Sequence, residues 1–212
     1  MRKILLAIAF ALPLMAQAKG DDTKYLAGAV PEVNGIVTFQ KSFTVPGMPQ
    51  DKVSSVLRGY MSKLVEESIP APTNYARFVQ DSKDTLVIRA CEWLVFKKKP
   101  LYLDRTRMRY QFNATVDQQN HVQLTITAIS YYYDEDNEGE KGQTIRAEEW
   151  ISDKEALNKS QTKLYPKSGK FRRFTVDRAE EIFEGAMDAF EAPKEPEAEQ
   201  PKKKVRSYLI EN

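Results

Sequence analysis

The sequence predicts an α+β fold of two layers, in which two helices pack on one face of an antiparallel sheet. Three observations lead to this class. Apolar residues recur at helical spacing near 49–67 and again near 175–191. Between these segments, apolar and polar residues alternate in the manner of strands with one buried and one hydrated face. The resulting element order, β-α-β-β-β-β-α, allows both helices to cover the apolar face of a single sheet.

The composition is that of a folded domain. The 212 residues include ten Phe, ten Tyr and two Trp, which excludes a disordered chain. A disulfide scaffold is excluded because Cys91 is the only cysteine. The 32 Lys and Arg residues nearly balance 30 Asp and Glu residues, so the formal charge of +2 gives no indication of nucleic-acid binding.

Residues 1–18 have the layout of a secretory signal peptide. Arg2 and Lys3 are followed by an apolar run, and Ala16 and Ala18 occupy the −3 and −1 positions of a cleavage site. The run is shorter than the ~20 residues that span a bilayer. We therefore expect a periplasmic or secreted protein without a membrane span, cleaved near Ala18. The alternative is an uncleaved N-terminal anchor.

Four segments follow from this interpretation. After the signal peptide, residues 19–34 form a partly ordered leader, because they show no clear period. Residues 35–192 form a single α+β domain. Residues 193–212, rich in Pro, Glu and Lys, form a charged, solvated tail. Loss of Arg2 and Lys3 with the signal peptide would leave a formally neutral mature protein.

The domain begins with a strand and a helix. A strand is predicted over 36–45, where most apolar residues share one parity, and Pro46-Gly47 ends it. An amphipathic helix then runs from about Pro49 to Glu67, with Asp51 at its positive start. The apolar stripe of this helix comprises Val53, Val56, Leu57, Tyr60, Met61, Leu64 and Val65.

Four strands are predicted next, over 75–80, 85–96, 105–117 and 121–133, with a break at 97–100. The third strand alternates most clearly. Its inward residues are Thr106, Met108, Tyr110, Phe112, Ala114 and Val116, and those of the fourth strand are Val122, Leu124, Ile126 and Ala128. A turn at 118–120 joins the two strands and sets their predicted register.

The last third of the domain is less regular. An acidic loop covers 134–142, and Asp153 is placed to cap a brief helix through Asn158. Residues 159–173 are basic and predicted to be irregular. The second long helix is then expected over 175–191, with Thr175 as its N-cap.

Three segments resemble a bacterial family of exported domains of unknown function with a TATA-binding-protein-like fold. They are Gly35–Phe43, Leu103–Arg107 and Ala147–Lys159, and the resemblance covers roughly residues 25–190. It implies the same strand-helix-four strands-helix topology. It implies no catalytic or binding residue, and the fold name implies no DNA binding, because function resides in sites.

Residues for acid–base and nucleophilic catalysis are scarce. His121 is the only histidine and lies beside the predicted turn at 118–120, whereas Cys91 belongs to another strand and is expected to be buried. A Ser-His-Asp or Cys-His site would require His121, and ligands for a His/Cys zinc site are missing. The sequence therefore argues against an enzyme, although a carboxylate-dependent hydrolase stays open.

The acidic loop carries the opening of a calcium-binding loop. Asp134, Asp136 and Glu138 occupy its first, third and fifth positions, and Gly139 occupies the sixth. The twelfth position is Ile145, where a bidentate Glu is needed. A solvated hairpin loop is therefore favoured over a calcium site, and no other cofactor is expected.

Three arginines on one strand form the candidate binding site. Arg105, Arg107 and Arg109 alternate, so their side chains share the hydrated face of the sheet. The predicted register places Arg107 opposite Tyr131 and Arg105 opposite Tyr133, which permits cation–π stacking. This arrangement suits an acidic or aromatic partner such as a glycan, a peptide or a protein. The alternative is a solvated face without a partner.

The leading hypothesis is an exported, non-enzymatic module that binds a partner or ligand through its open sheet face. Nucleic acid is not expected as a partner, because it needs a coherent basic face and access to the cytoplasm. The alternatives are the carboxylate-dependent hydrolase and a structural component of a cell-envelope assembly that interacts through residues 193–212.

Overall fold

A computed structural model describes residues 22–67, 75–100, 102–133 and 142–191. It has the predicted two-layer α+β architecture, with one main sheet and its long helices on a single face. The signal segment, the tail at 193–212 and calcium-loop residues Asp134, Asp136 and Glu138 lie outside the described residues. Among the helices that are described, none is long and apolar enough to cross a membrane.

The two long helices and the five main strands of the sheet follow the predicted order, whereas the predicted strand over 36–45 is divided at Thr38 and the short strands at 32–33 and 143–146 were not predicted. The helices are α1 (Gln50–Glu67), α2 (Asp153–Ala156) and α3 (Pro166–Asp188), with short 3-10 turns at Thr23–Tyr25 and Ala147–Glu149. The strands are β1 (Glu32–Val33), β2 (Ile36–Val37), β3 (Phe39–Thr44), β4 (Tyr75–Asp81), β5 (Thr85–Lys99), β6 (Tyr102–Val116), β7 (His121–Tyr133) and β8 (Gln143–Arg146).

The main sheet is antiparallel throughout, in the order β3-β7-β6-β5-β4, and β8 pairs with the far end of β7. The short β1–β2 hairpin lies outside this sheet. The inward residues of β6 from Thr106 to Val116 are all buried, as the alternation predicts. They meet the stripes of α1 and α3, so that Phe112, Leu57 and Ile182 belong to one core.

The second long helix begins earlier than predicted. It starts at Pro166, where a proline is compatible with the first helical turn, so residues 166–173 are helical and not irregular. Thr175 is not the N-cap but a buried residue inside α3, and its hydroxyl lies 2.7 Å from the Tyr131 hydroxyl. Burial of Phe171 in the hydrophobic core therefore stabilises helical structure in residues 166–173, although this segment is rich in basic residues.

Two strand details also differ from the prediction. The predicted break at 97–100 is wrong for Lys97–Lys99, which continue β5 after an irregularity between Val95 and Lys97. Ala128 is not an inward residue: it is exposed, with a positive φ of 53°, and Ile129 is buried in its place. This is a β-bulge, since Gln111 pairs with Thr127 whereas Arg109 pairs with Ser130.

Residues 22–34 pack on α3, and the Gly28 N–H donates a hydrogen bond to the Asp153 carboxylate of α2. Arg172 of α3 is fully buried and donates hydrogen bonds of 2.6 Å to the carbonyl oxygens of Tyr25 and Leu26. Arg173 binds the carboxylate of Asp22 at 2.7 Å, and Val30 enters the hydrophobic core. The domain described by the structure therefore extends upstream of β1.

Candidate binding face of the sheet

The carboxylates of β4, β5 and β6 point towards the helices. Each forms an ion pair with a cation of α1 or α3, and these pairs tie the sheet to its helical layer. The pairs are Asp81–Arg58, Glu92–Arg178 and Asp104–Lys170, with N–O distances of 2.7, 2.9 and 2.7 Å. Acidic side chains in β4–β6 thus contribute to the packing between layers.

The opposite side of the sheet, here called the open face, collects arginines. They are Arg77, Arg89, Arg105, Arg107 and Arg109, on β4, β5 and β6. No carboxylate occupies an open-face position in the described parts of β4–β8. The near-neutral sequence therefore folds into a sheet whose two faces differ strongly in charge.

Arginines and aromatic rings form a continuous stack across this face. The Arg105 guanidinium carbon lies 3.7 Å from the centroid of the Trp93 ring, and that of Arg107 lies 5.7 Å from it. Arg107 and Arg109 approach the Tyr132 ring at 4.9 and 5.9 Å. We call these five residues the arginine ladder. Cation–π contact helps to hold these guanidinium groups in place.

Two further arginines stand directly opposite each other on neighbouring strands. Arg77 of β4 pairs in register with Arg89 of β5, and both side chains are exposed. Like charges at such positions destabilise a sheet. Arg89 also approaches the side-chain oxygen of Gln111 with its Nε, at 3.4 Å. The cationic patch is therefore wider than the ladder and carries a cost in stability.

Arg109 occupies the centre of the patch. It lies opposite Cys91 on one side and Ser130 on the other, and both neighbours are small. Its Nε is buried and has no hydrogen-bond partner among the described residues. A buried donor of this kind is uncommon in folded proteins.

A notch borders the patch where β7 changes partner. β7 pairs with β3 through residues 121–126 and with β8 through residues 130–133, and the bulge at Ala128 lies between these stretches. The notch holds about 640 Å³, and its lining includes Ile36, Ser130 and Arg146. Because Ser130 pairs with both Arg109 and Arg146, the notch is continuous with the cationic patch.

The structure corrects the aromatic partners of the arginines. Tyr131 is fully buried and Tyr133 contacts the Phe171 ring at 5.1 Å, so both face the helices and not Arg107 or Arg105. Burial also raises the pKa of the Tyr131 hydroxyl. The bulge at Ala128 causes the error, because one extra residue in β7 exchanges the two faces beyond it.

Trp93 and Tyr132 were not identified from the sequence as binding residues. Trp93 lies opposite Arg107 across the β5–β6 hairpin, and Tyr132 lies opposite the same residue from β7. The alternation of residues along the predicted strand at 85–96 could have identified Trp93, because it places Trp93 on the same face as Arg89. Tyr132 could not be identified in this way, because its position depends on the bulge.

The two residues considered for catalysis, the base candidate His121 and the thiol of Cys91, lie in different places. His121 is exposed at the start of β7, with its Nδ1 3.5 Å from the Thr44 hydroxyl. Cys91 is buried opposite Arg109, as predicted for its burial. Within the four described ranges, no group of three or more His, Cys, Asp or Glu side chains is arranged to hold a metal ion.

Comparison with solved structures identifies the family. A crystal structure of a DUF4468 family protein from Bacteroides ovatus is 38% identical in sequence, with a TM-score of 0.72, over 82% of this chain and 98% of that chain. This chain belongs to the DUF4468 family. The family model, described as a domain of unknown function with TBP-like fold, matches residues 39–132, a range that contains the arginine ladder.

A more distant structure shows the same fold. A TBP-like protein from Parabacteroides distasonis is 18% identical, with a TM-score of 0.61, over 76% of this chain and 96% of that chain. No curated protein matches the sequence. The DUF4468 chain thus has the TBP-like fold and the bacterial family that the sequence resemblance indicated.

Proposed function

We propose that this DUF4468 protein is a non-enzymatic module that binds an acidic partner through the open face of its sheet. One observation carries the proposal: five arginines occupy this face on three adjacent strands, and no carboxylate occupies an open-face position in the described parts of β4–β8. A face of one sign attracts and orients a partner of the opposite sign.

The ladder geometry supports recognition as well as attraction. Arg105 and Arg107 lie over the rings of Trp93 and Tyr132, with the guanidinium carbon 3.7 and 4.9 Å from the ring centroids. The N–H bonds of a guanidinium lie in its plane and form a fork that matches a carboxylate. A stacked arginine is also restricted in its motion, so that binding a carboxylate costs less conformational entropy.

Export is part of the proposal, and the features of residues 1–18 support it. The full chain is to be expressed in a bacterial host and recovered from the periplasm. Mass spectrometry should then show Lys19 as the first residue. A full-length product confined to the cytoplasm would contradict export, without bearing on the binding face.

The binding test uses labelled poly-L-glutamate and fluorescence anisotropy at low ionic strength. We expect the wild-type protein to bind it, with affinity that falls as salt is added. The double variant Arg105→Glu/Arg107→Glu should bind at least about tenfold more weakly, since like charges now meet across the interface.

The matched control is Lys159→Glu/Lys163→Glu, which changes the net charge equally on exposed side chains of the 157–164 loop. This variant should bind polyglutamate within about twofold of the wild type, since it leaves every arginine of the open face in place. Equal affinity of the two double variants, both folded by circular dichroism, would overturn the proposal.

A further inference from the structure

Two arginines of the open face, Arg77 and Arg89, stand outside the arginine ladder. They are direct cross-strand neighbours on β4 and β5, and both side chains are exposed. β4 is the last strand of the main sheet in the described residues, so the pair lies at the margin of the open face. The β-carbons of directly opposite residues are about 5 Å apart, which brings two positive charges within reach of one ligand.

Neither guanidinium group of this pair is engaged by an acid. The Arg77 side chain makes no hydrogen bond, ion pair or ring contact with any described residue, and that of Arg89 makes only the 3.4 Å contact from its Nε to Gln111. Gln111 in turn donates to the side-chain oxygen of Asn113 at 3.0 Å, which directs its own oxygen towards Arg89. The terminal nitrogens of both arginines are therefore free to donate to a ligand.

Arg109 adds a third positive charge to this region. It lies opposite Cys91, the next residue of β5 on the same face as Arg89, so Arg109 and Arg89 are diagonal neighbours. Diagonal neighbours in a sheet are about 7–8 Å apart, still within reach of long side chains. Cys91 is small and only 1% exposed, so no bulky side chain separates the two arginines. The exposed pair thus lies in a field of three positive charges.

We infer that Arg77 and Arg89 together bind one phosphate group, as the free ion or as a monoester, and that Arg109 contributes to its attraction. This inference rests on the proposed function and adds the chemical class of the ligand. A phosphate monoester carries about −1.5 to −2 charges at neutral pH and three terminal acceptor oxygens. It can therefore accept hydrogen bonds from two guanidinium groups at once and balance both charges. A carboxylate has one charge and two oxygens, which suit a single guanidinium fork.

The stability cost of the pair supports the same conclusion. Like charges directly opposite each other destabilise a sheet, and here they are Arg77 and Arg89. A bound phosphate group would remove this repulsion. The pairing of β4 with β5 that brings the two arginines together exists only in the folded chain, so phosphate should bind the folded state and stabilise it.

The first test is thermal unfolding in sodium phosphate and in sodium chloride of equal ionic strength at pH 7. A phosphate concentration about fivefold above the dissociation constant should raise the Tm of the wild type by about 2–4 °C relative to chloride. Arg77→Gln should lose most of this rise, because one of the two guanidinium groups is gone. Its Tm in chloride should be no lower than that of the wild type, since the like-charge pair is also gone.

The matched control is Lys159→Gln, which removes one positive charge from an exposed side chain outside the open face. It should keep the full phosphate-dependent rise in Tm. The control thereby separates binding at the arginine pair from the general stabilisation that phosphate gives to folded proteins. An equal rise in Arg77→Gln and Lys159→Gln would overturn the inference.

The second test measures the preference for phosphate over carboxylates by fluorescence anisotropy. Two labelled peptides of nearly equal charge are compared, one with the central sequence Ala-phosphotyrosine-Ala and one with Glu-Tyr-Glu. We expect the phosphotyrosine peptide to bind the wild type at least about tenfold tighter. Arg89→Gln should remove this preference, whereas Lys159→Gln should keep it.

Further outcomes distinguish the source of the phosphate group and the two proposals. Inorganic phosphate should displace the phosphotyrosine peptide. A lower dissociation constant for the peptide identifies a phosphate ester as the ligand, and a lower one for inorganic phosphate identifies the free ion. Equal binding of the two peptides, or tighter binding of a sulfotyrosine peptide, would overturn the inference but not the proposed function, provided that polyglutamate binds. Failure of polyglutamate to bind the wild type would refute the proposed function itself.

Discussion

The two faces of the DUF4468 sheet use charge in opposite ways. On the helix-covered face, Asp81, Glu92 and Asp104 each meet a cation from α1 or α3 within 3 Å. On the open face, Arg77 and Arg89 stand side by side, and the ladder arginines stack on rings. The first set of charges serves the packing of the domain, and the second is the set that we propose contacts an acidic partner.

Two arginines show the contrast most clearly. Arg172 is fully buried, and its guanidinium donates to the carbonyl oxygens of Tyr25, Leu26 and Ile151 and to the carboxylate of Asp153. Arg107, in contrast, keeps part of its side chain exposed between two rings.

The largest expected effect comes from replacing these arginines with methionine. Arg172→Met should lower the free energy of unfolding by about 3–5 kcal/mol, since it leaves buried acceptors without a donor. Arg107→Met should cost less than about 1 kcal/mol. Urea denaturation measures both values. Similar losses for the two variants would show that the ladder also serves mainly to stabilise the fold.

The alkaline limit of stability should be set in part by tyrosines of the helical layer. Burial raises the pKa of Tyr60 from 10.0 to about 12, and its hydroxyl donates to the carbonyl oxygen of Ile182. The unfolded chain ionises first, so the contribution of Tyr60 is present below pH 10 and is lost as the pH rises towards 12.

The measurement is urea denaturation at several pH values between 9 and 12. The free energy of unfolding should fall over this range, and it should fall less steeply in Tyr60→Phe, which has no proton to lose at this position. An unchanged slope in the variant would show that other groups determine the alkaline limit.

The smallest expected effect concerns the strained residue on the open side. Ala128 has a φ of 53°, in the left-handed region that glycine adopts more readily. Ala128→Gly should therefore stabilise the protein by up to about 1 kcal/mol, seen as a rise in Tm. A fall in Tm would mean that the methyl group contributes more through its contacts in the notch than the strain costs.

The alternation of residues determined much of the fold and three of the five ladder residues. Strand periodicity is a property of the local backbone, so it placed Arg105, Arg107 and Arg109 together on the open face and Met108 and Phe112 in the core. The bounds of α1 also followed from its own apolar stripe, because a helix of 18 residues repeats its signal several times.

Only the tertiary structure decided which rings accompany these arginines. The pairing of β6 with β7 depends on hydrogen bonds between distant residues, and the bulge shifts it by one position beyond Gln111. Alanine rarely adopts a positive φ, so the sequence does not predict a bulge at Ala128. The surrounding sheet imposes this conformation.

The same distinction applies to charge. The sequence by itself determined a nearly neutral chain with three alternating arginines. The folded structure decided that the carboxylates of β4–β6 turn to the helices while five arginines share the other face. The alternation of side chains is a local property that can be read along one strand. Long-range packing determines which strands become neighbours and in which register they pair.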